Sequence, residues 1–193
     1  MRQGFFGVKN CHIALLTSES PLTYGTPVAV PGTVEISADA EVSSEAAYAD
    51  DMVWIDGTTN NGFSGTLSLR DTVSTAALRE LFAKLSGYAI DENGRILGLT
   101  QRAPQTFALM CEKTGTNVNQ RRCWYYCQLT PPNFDAATKE DNAEITQLDY
   151  EFTARPVTLP SGEVASHYDD FTGSATYDDF FDAVDTAIVE DTE

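Results

Sequence analysis

The sequence lacks any long apolar run. Its 193 residues contain no stretch of about 18 consecutive apolar residues, the length that indicates a transmembrane helix. The N-terminus also lacks the charged and then apolar pattern of a secretory signal peptide. We therefore expect a chain that is made and folds in a cytoplasm and does not bind a membrane. This length predicts one domain with a hydrophobic core and a tail, but not a second full domain.

Basic residues are scarce. The chain has 12 Lys and Arg against 29 Asp and Glu, which gives a formal net charge of −17. Non-specific binding to nucleic acid depends on Lys and Arg side chains that displace counterions from the phosphates. Nucleic-acid binding through a basic surface is therefore excluded as the main activity. The acids are unevenly spread: residues 161–193 hold ten of them and no Lys or Arg. The first 160 residues carry 19 acids and 12 bases, or −7.

Catalytic motifs are missing as well. His12 and His167 lie far apart in the sequence, and there is no Gly-rich phosphate loop or nucleophile elbow. The neighbouring acids Asp50–Asp51 and Asp169–Asp170 could form a hydrolase or calcium site, but this is disfavoured. Adjacent side chains of a strand point to opposite faces, and acids in a tail are usually solvated. We expect no enzyme activity, no catalytic residue, no metal and no cofactor.

Cysteine is limited to four positions, Cys11, Cys111, Cys123 and Cys127. Cys123 and Cys127 share a predicted strand at a spacing that does not easily allow a bond between them. Cys111 lies on the expected partner strand and could approach one of the two. Small buried thiols are the favoured interpretation over disulfides, and a zinc site is less favoured still.

The sequence does contain several alternating segments. Residues 33–42, 63–69 and 145–155 alternate apolar and polar side chains, which is typical of half-buried strands. Residues 105–112 and 120–129 predict a long hairpin.

One helix is predicted among these strands, at residues 75–86. Ser74 can cap its N-terminus, Gly87 can end it, and four apolar side chains follow helical spacing: Leu78, Leu81, Phe82 and Leu85. One amphipathic helix among many strands predicts a mainly β fold. We expect a β-sandwich or partly closed barrel with one flanking α-helix and a long extended hairpin loop.

The composition changes after Pro160. We assign residues 1–158 to the β domain and residues 159–193 to an acidic C-terminal arm. Residues 177–188 can form a short helix with four apolar side chains near one face, which would dock the arm: Phe180, Phe181, Val184 and Ile188. Isolated helices of this length are marginal in water, so a disordered arm is an equal alternative.

The segment from Tyr48 to Leu69, YADDMVWIDGTTNNGFSGTLSL, joins two different patterns. Its second half is a clean strand, whereas its first half mixes aromatic and apolar residues with acids. Residues 58–62, Thr-Thr-Asn-Asn-Gly, are predicted to form the turn of a long hairpin, since Asn and Gly tolerate positive φ.

This segment resembles the major tail protein, or tail tube protein, of bacteriophages with long non-contractile tails. The likeness covers roughly residues 4–157 and includes further segments in order: Gly7-Val8-Lys9-Asn10, residues 24–32 (YGTPVAVPG), residues 104–109 (PQTFAL), residues 138–142 (TKEDN) and a strand ending at Arg155-Pro156. The resemblance implies a structural virion protein of the phage tail, made in the cytoplasm of the bacterial host. Its subunits would form hexameric rings stacked into a hollow tube that delivers the phage DNA.

The same resemblance implies the partners. The subunit would bind copies of itself, with the tape-measure protein and phage DNA in the lumen and the tail terminator and distal tail proteins at the tube ends. Relatives often carry an additional immunoglobulin-like domain at the C-terminus, and residues 161–193 are too few to form one.

Two candidate surfaces follow from this interpretation. Residues 43–62 are expected to attach one ring to the next through aromatic and apolar anchors and neighbouring acids, because large desolvated aromatics concentrate binding energy: Tyr48, Asp50, Asp51, Met52, Val53 and Trp54. An acidic lining would keep DNA mobile in the lumen, and the candidates are Glu35, Asp39, Glu41, Asp149 and Glu151. Alternatively, the loop folds back on its own barrel and the acidic face is an outer, solvated one.

Two other functions remain open from the sequence. The main alternative is a non-viral acidic β-sandwich that binds a surface or a carbohydrate through Trp54 and Trp124. A DNA-mimic inhibitor is a third interpretation, and it depends only on the acidic arm.

Overall fold

The computed structural model describes residues 4–49, 52–70, 74–100, 102–131 and 147–188. The fold is mainly β, as predicted, with one short helix, α1, at Ala76–Leu85. None of the described helices has the length and apolar character needed to span a membrane. The strands are β1 (Phe5–Glu19), β2 (Leu22–Tyr24), β3 (Val28–Ala29), β4 (Thr33–Ala49), β5 (Met52–Leu69), β6 (Tyr88–Ile90), β7 (Ile96–Gly98), β8 (Phe107–Gly115), β9 (Gln120–Leu129), β10 (Leu148–Arg155), β11 (Val157–Thr158), β12 (Val164–Ala165) and β13 (His167–Phe171).

Nine of the strands form one large antiparallel sheet. Seven lie side by side in the order β2-β1-β8-β9-β10-β5-β4, while β3 pairs with β1 and β13 pairs with β9. The end strands β2 and β4 do not pair with each other in the described residues, so the strand pairing shows a large antiparallel sheet but no closure into a barrel. Two small hairpins, β6–β7 and β11–β12, lie outside it.

The sheet divides at β9. One edge of β9 pairs with β8, and the other pairs with β10 from Tyr126 to Leu129 and with β13 from Gln120 to Trp124. Strands β10, β5 and β4 therefore continue the sheet at one end of β9. The C-terminal strand β13 continues it at the other end.

The main core lies on the face that the alternating patterns predicted to be buried. Phe63, Leu67 and Leu69 of β5 are buried, as are the alternating apolar residues of β10, Tyr150, Phe152 and Ala154. Helix α1 adds Leu78, Leu81, Phe82 and Leu85 to the same cluster. Burying each large side chain of this kind contributes about 1.5–3 kcal/mol, so this face of the sheet fixes the fold.

The ends of α1 follow the prediction with one correction. Thr75 is the N-cap rather than Ser74, because the Thr75 hydroxyl accepts the backbone N–H of Leu78 at 3.2 Å. Gly87 ends the helix with φ +73°, a conformation that favours glycine.

A second apolar layer covers the opposite face of β1, β8 and β9. Ala14, Ala108, Met110 and Cys123 are buried there beneath Phe180 of the C-terminal arm. Phe181 and Val184 pack against the same cluster, while Ile188 is 36% exposed. Part of the arm is therefore built into the fold: β13 joins the main sheet and the following residues cover it.

The helix predicted at 177–188 is not formed. Residues 172–183 form turns and bends, and residues 184–188 have no regular structure. Local hydrogen bonds favour the turns, since the Thr176 hydroxyl donates to Asp170 at 2.7 Å and lies 2.9 Å from the Ser174 hydroxyl.

All four cysteines are buried free thiols, which confirms the favoured interpretation. Burial raises the pKa of Cys11 and of Cys111 to about 12. Burial also raises the pKa values of Cys123 and Cys127. The thiols are therefore protonated packing groups near neutral pH.

Candidate functional site

The longest feature that leaves the sheet is the hairpin of β4 and β5. Strand β5 pairs with β10 from Phe63 to Leu69, and its partner β4 continues past that point. Among the described residues, Val42–Ala49 and Met52–Asn60 pair only with each other, and we call this two-stranded segment the ribbon. At roughly 3.3 Å per residue, the ribbon extends for about 25 Å beyond the sheet.

The predicted turn at residues 58–62 is wrong. Residues 58–62 lie within β5, and the pairing of β4 with β5 shifts there between Ala40 and Val42. Gly62 has φ +123°, and its backbone N–H donates to the Asn60 side chain at 2.9 Å. The Asn-Gly residues thus form a β-bulge at the base of the ribbon instead of reversing the chain.

Two glycines let strands approach closely at this base. A Cβ on Gly62 would lie 2.1 Å from the backbone oxygen of Ala154, and a Cβ on Gly65 would lie 2.0 Å from that of Ser37. Both contacts are with backbone atoms, which cannot move aside easily. The position of the ribbon on the sheet therefore depends on glycine at both places.

The predicted ring-attachment residues fall at the end of the ribbon. Tyr48 is paired with Val53, and Met52 is paired with Ala49. Trp54 lies in β5 next to Val53. Asp50 and Asp51 lie outside the described residues. The structure therefore places the backbones of four of these six residues together at the far end of β4 and β5.

Four of the five predicted lining acids share one exposed face of β4, β5 and β10. Glu35 and Asp149 both lie opposite Ser68, one on each side of β5. Asp39 lies opposite Ser64, and Glu151 lies opposite Thr66, on the same face. We call this surface the acidic face. The pairing of β4 with β5 skips Glu41, because this residue falls in the bulge.

Hydroxyl groups on β5 separate the acids. The Ser68 hydroxyl donates to Asp149 at 2.6 Å, and Gln147 donates to the same carboxylate at 2.9 Å. These bonds hold the pKa of Asp149 below its ordinary value, so it is ionised at neutral pH. Arg155 lies on the same side of β10 as Asp149 and Glu151. It marks the boundary of the acidic face at the end nearest the ribbon. The face presents a row of hydroxyls with carboxylates on both sides.

An open groove of about 480 Å³ lies between the start of β1 and the start of β4. Phe5 and Phe6 line it from β1, and Val34 and Ile36 line it from β4. Trp124 also lines it, although it is only 4% exposed and its indole N–H has no hydrogen-bond partner. We call this the β1–β4 groove. It was missed from the sequence, where the adjacent apolar pair Phe5-Phe6 at a strand start was the only available signal.

Two cationic side chains, Lys113 and Arg122, line the β1–β4 groove. The Lys113 ammonium lies 4.8 Å from the centre of the Phe5 ring. Arg122 forms two hydrogen bonds of 2.6 Å with Asp169, which raise its pKa. Asp169 was expected to be solvated, but the antiparallel pairing of β9 with β13 places it directly opposite Arg122.

The described residues contain no group of three or more His, Cys, Asp or Glu side chains arranged to hold a metal ion. His12 lies in β1 and stacks on Phe181, with ring centres 4.5 Å apart.

Trp124 packs edge-on against Phe63 and Phe152 and is nearly enclosed, so it offers no open ring face to a sugar.

No family model matches this chain, and no curated protein matches it. The resemblance to phage tail tube proteins therefore remains a prediction from the sequence.

Proposed function

We propose that this chain is the subunit of a phage tail tube, a structural protein without enzyme activity that assembles into stacked hexameric rings. The observation that carries the proposal is the ribbon. A two-stranded ribbon that leaves its sheet lacks the third strand or packed face that makes a hairpin stable in water. A second subunit that covers the ribbon would supply this missing surface.

The acidic face supports the same function. Its four carboxylates are exposed, and a surface with exposed carboxylates of this kind repels the phosphates of DNA. In a tube whose lumen it lined, DNA would pass without being held. The DNA and the tape-measure protein would occupy that lumen, and the tail terminator and distal tail proteins would bind the two ends. The tube would be assembled in the bacterial host and remain in the virion.

Unpaired strand edges also support assembly. In the described part of the sheet, the outer edge of β4 has no partner strand. A long exposed edge of this kind is a template for pairing with another chain. Pairing between neighbouring subunits in a ring would cover this edge and continue the sheet around the lumen.

Electron microscopy of the concentrated full-length protein tests the proposal. We expect rings or hollow tubes in negative stain, and a persistent monomer at high concentration would overturn it. A variant in which a short turn replaces residues 45–56, and a second variant, Trp54→Ala, should fold but form no tubes. Leu97→Ala is the matched control, since Leu97 is an exposed apolar residue of the separate β6–β7 hairpin. Tubes from the shortened variant would contradict the role of the ribbon.

A further inference from the structure

Cys11 and Cys111 face each other across the pairing of β1 with β8. The register of this pairing shifts just before His12, which lies opposite Met110. The next residue of β8, Cys111, is therefore faced by two residues of β1, Asn10 and Cys11. Asn10 has φ +51° and is the extra residue of this β-bulge. Cys11 and Cys111 both belong to the main core cluster, so their side chains lie on the same face of the sheet.

The backbone hydrogen bonds of β1 define the spacing of this pair. The Cys11 carbonyl accepts the backbone N–H of Val30 at 2.8 Å, on the side of β1 that faces away from β8. The Leu15 carbonyl follows the same alternation and accepts the N–H of Gly25 at 2.8 Å. Cys11 and Cys111 thus form a non-hydrogen-bonded pair, in which opposite Cα atoms are about 4.5 Å apart. A disulfide needs a Cα separation of roughly 4.4–6.8 Å, so this pair is close enough to be linked.

The other two cysteines are placed differently. Cys123 is buried in the apolar layer on the opposite face of the sheet. Cys127 lies opposite Phe107, four residues along β8 from Cys111. Four residues of a strand cover about 13 Å, which is too far for a bond. Cys11 is therefore the thiol that can reach Cys111.

Both thiols line open cavities, although their side chains are buried. Cys111 is 7% exposed and lines the β1–β4 groove. Cys11 is 3% exposed and lines a second open cavity of about 380 Å³, between the bulge and residues 29–33. Such limited exposure admits an oxidant about the size of a water molecule, such as hydrogen peroxide, but not a bulky one such as oxidised glutathione.

We propose that Cys11 and Cys111 form a redox site, which hydrogen peroxide converts into a disulfide between β1 and β8. The thiolate of one cysteine attacks a peroxide oxygen, the O–O bond breaks, and a sulfenic acid and hydroxide form. The thiolate of the other cysteine attacks the sulfenic sulfur, forms the S–S bond and releases a second hydroxide. Each hydroxide takes up the proton that one thiol has lost, so the products are one disulfide and two molecules of water.

The proposed site does not depend on the tube function. Reducing conditions in a cytoplasm would keep the pair as thiols, and oxidising surroundings would close it. The bond would then join two strands that are more than half the chain apart in sequence, and it would fix the first strand of the sheet in place.

Peptide mapping of the full-length protein tests the linkage. The protein is treated with hydrogen peroxide at about pH 9, because the thiolate is the attacking form and the pKa of both thiols is about 12. The remaining thiols are alkylated in denaturant, and the chain is cut with trypsin without reduction. Trypsin places the cysteines on three peptides, 10–70, 103–113 and 123–139. We expect peptides 10–70 and 103–113 to be joined, with the loss of two hydrogen atoms, and dithiothreitol should separate them.

Three other products of this treatment would overturn the inference. The first is recovery of Cys11 and Cys111 as alkylated thiols. The second is a link from either of them to peptide 123–139. The third is a linked species with twice the mass of the chain, since the proposed bond lies within one molecule.

Two variants add a measurement of stability. Cys123→Ala combined with Cys127→Ala keeps the pair, so peroxide should raise its melting temperature by about 5–15 °C, because the bond closes a loop of about 100 residues. Cys111→Ser is the matched control and should show no such rise. A linked protein that melts no higher than the reduced chain would show that the bond strains the sheet, which contradicts the argued spacing. Where a variant does not fold, the peptide map of the unaltered chain decides.

Discussion

Arg121 donates from its Nε to a carboxylate oxygen of Glu112 across 3.1 Å, with both side chains largely enclosed. Glu112 is 2% exposed and also accepts from Lys9 and from the side-chain amides of Asn10 and Asn119. A buried carboxylate is stable only when its hydrogen bonds and charge are matched in this way. The guanidinium of Arg121 lies 3.7 Å from the centre of the Tyr177 ring, so the same cation also holds the C-terminal arm.

Arg121→Met should be strongly destabilising. It leaves the buried Glu112 carboxylate without its enclosed cation and removes the stacking on Tyr177, for a loss of about 3–5 kcal/mol in the free energy of unfolding. Urea denaturation measures this loss. Arg95→Met is the matched control, because the Arg95–Asp91 pair is on the surface, with Arg95 78% exposed. Its effect should stay within about 1 kcal/mol. Similar losses for the two variants would show that the network around Glu112 does not stabilise the fold.

The same network predicts a pH dependence. Burial alone would raise the pKa of Glu112, but the bonds from Asn10, Lys9 and Arg121 outweigh it and lower the pKa below its ordinary 4.5. A carboxyl group whose pKa is lower in the folded state contributes stability above its unfolded pKa and loses that contribution as the pH falls through its folded pKa. The unfolding free energy should therefore decrease more steeply below about pH 4.5 in the native chain than in Glu112→Gln. Parallel curves for the two proteins would contradict this.

Gly65 should be essential for the pairing of β4 with β5. Gly65→Ala places a Cβ about 2.0 Å from the backbone oxygen of Ser37, so β4 must shift and the cost should be about 1–3 kcal/mol. Gly57→Ala is the control, since a Cβ there meets nothing within 4 Å and the change should be nearly neutral. Denaturation midpoints compare the two variants. Gly65→Ala should also reduce tube assembly, because it displaces the base of the ribbon, and equal stability of the two variants would refute the close-approach argument.

The sequence predicted the elements in which one face is buried. Phe63, Leu67 and Leu69 alternate with polar residues because one side of β5 faces the core, and this periodicity is visible without the structure. Leu78 and Leu85 identified the helix for the same reason. The secondary structure of these elements is determined by residues that lie close together in the sequence, so a local pattern is enough to predict it.

Features that depend on distant residues were not predictable in this way. Asn60 and Gly62 are compatible with a turn and with a β-bulge. The structure has a bulge there because β4 continues past Val42 and still pairs with β5. The acids of β13 resemble solvated tail residues until the pairing places Asp169 opposite Arg122. The groove was hidden for a similar reason, since Phe6, Val34 and Trp124 come from three separate strands.

The acidic face should line the lumen of the assembled tube. Glu35→Lys, Asp39→Lys and Glu151→Lys together replace exposed acids with bases, so the triple variant should still assemble. Its tubes should retain short linear DNA at low salt and release it as the salt concentration rises, because the new contacts displace counterions from phosphate. DNA retained in the lumen should resist nuclease. Tubes of the unaltered protein should retain no DNA.

A control with the same charge change on the arm separates the lumen from the outer surface. Asp178→Lys, Asp179→Lys and Asp182→Lys alter exposed residues of the turns that follow β13. DNA bound by this variant should be digested, because we expect the arm to lie outside the tube. A density map of the tube gives the direct measurement. Glu35 and Asp39 directed outward, or protected DNA in the arm variant alone, would show that the acidic face is an outer surface and that another face lines the channel.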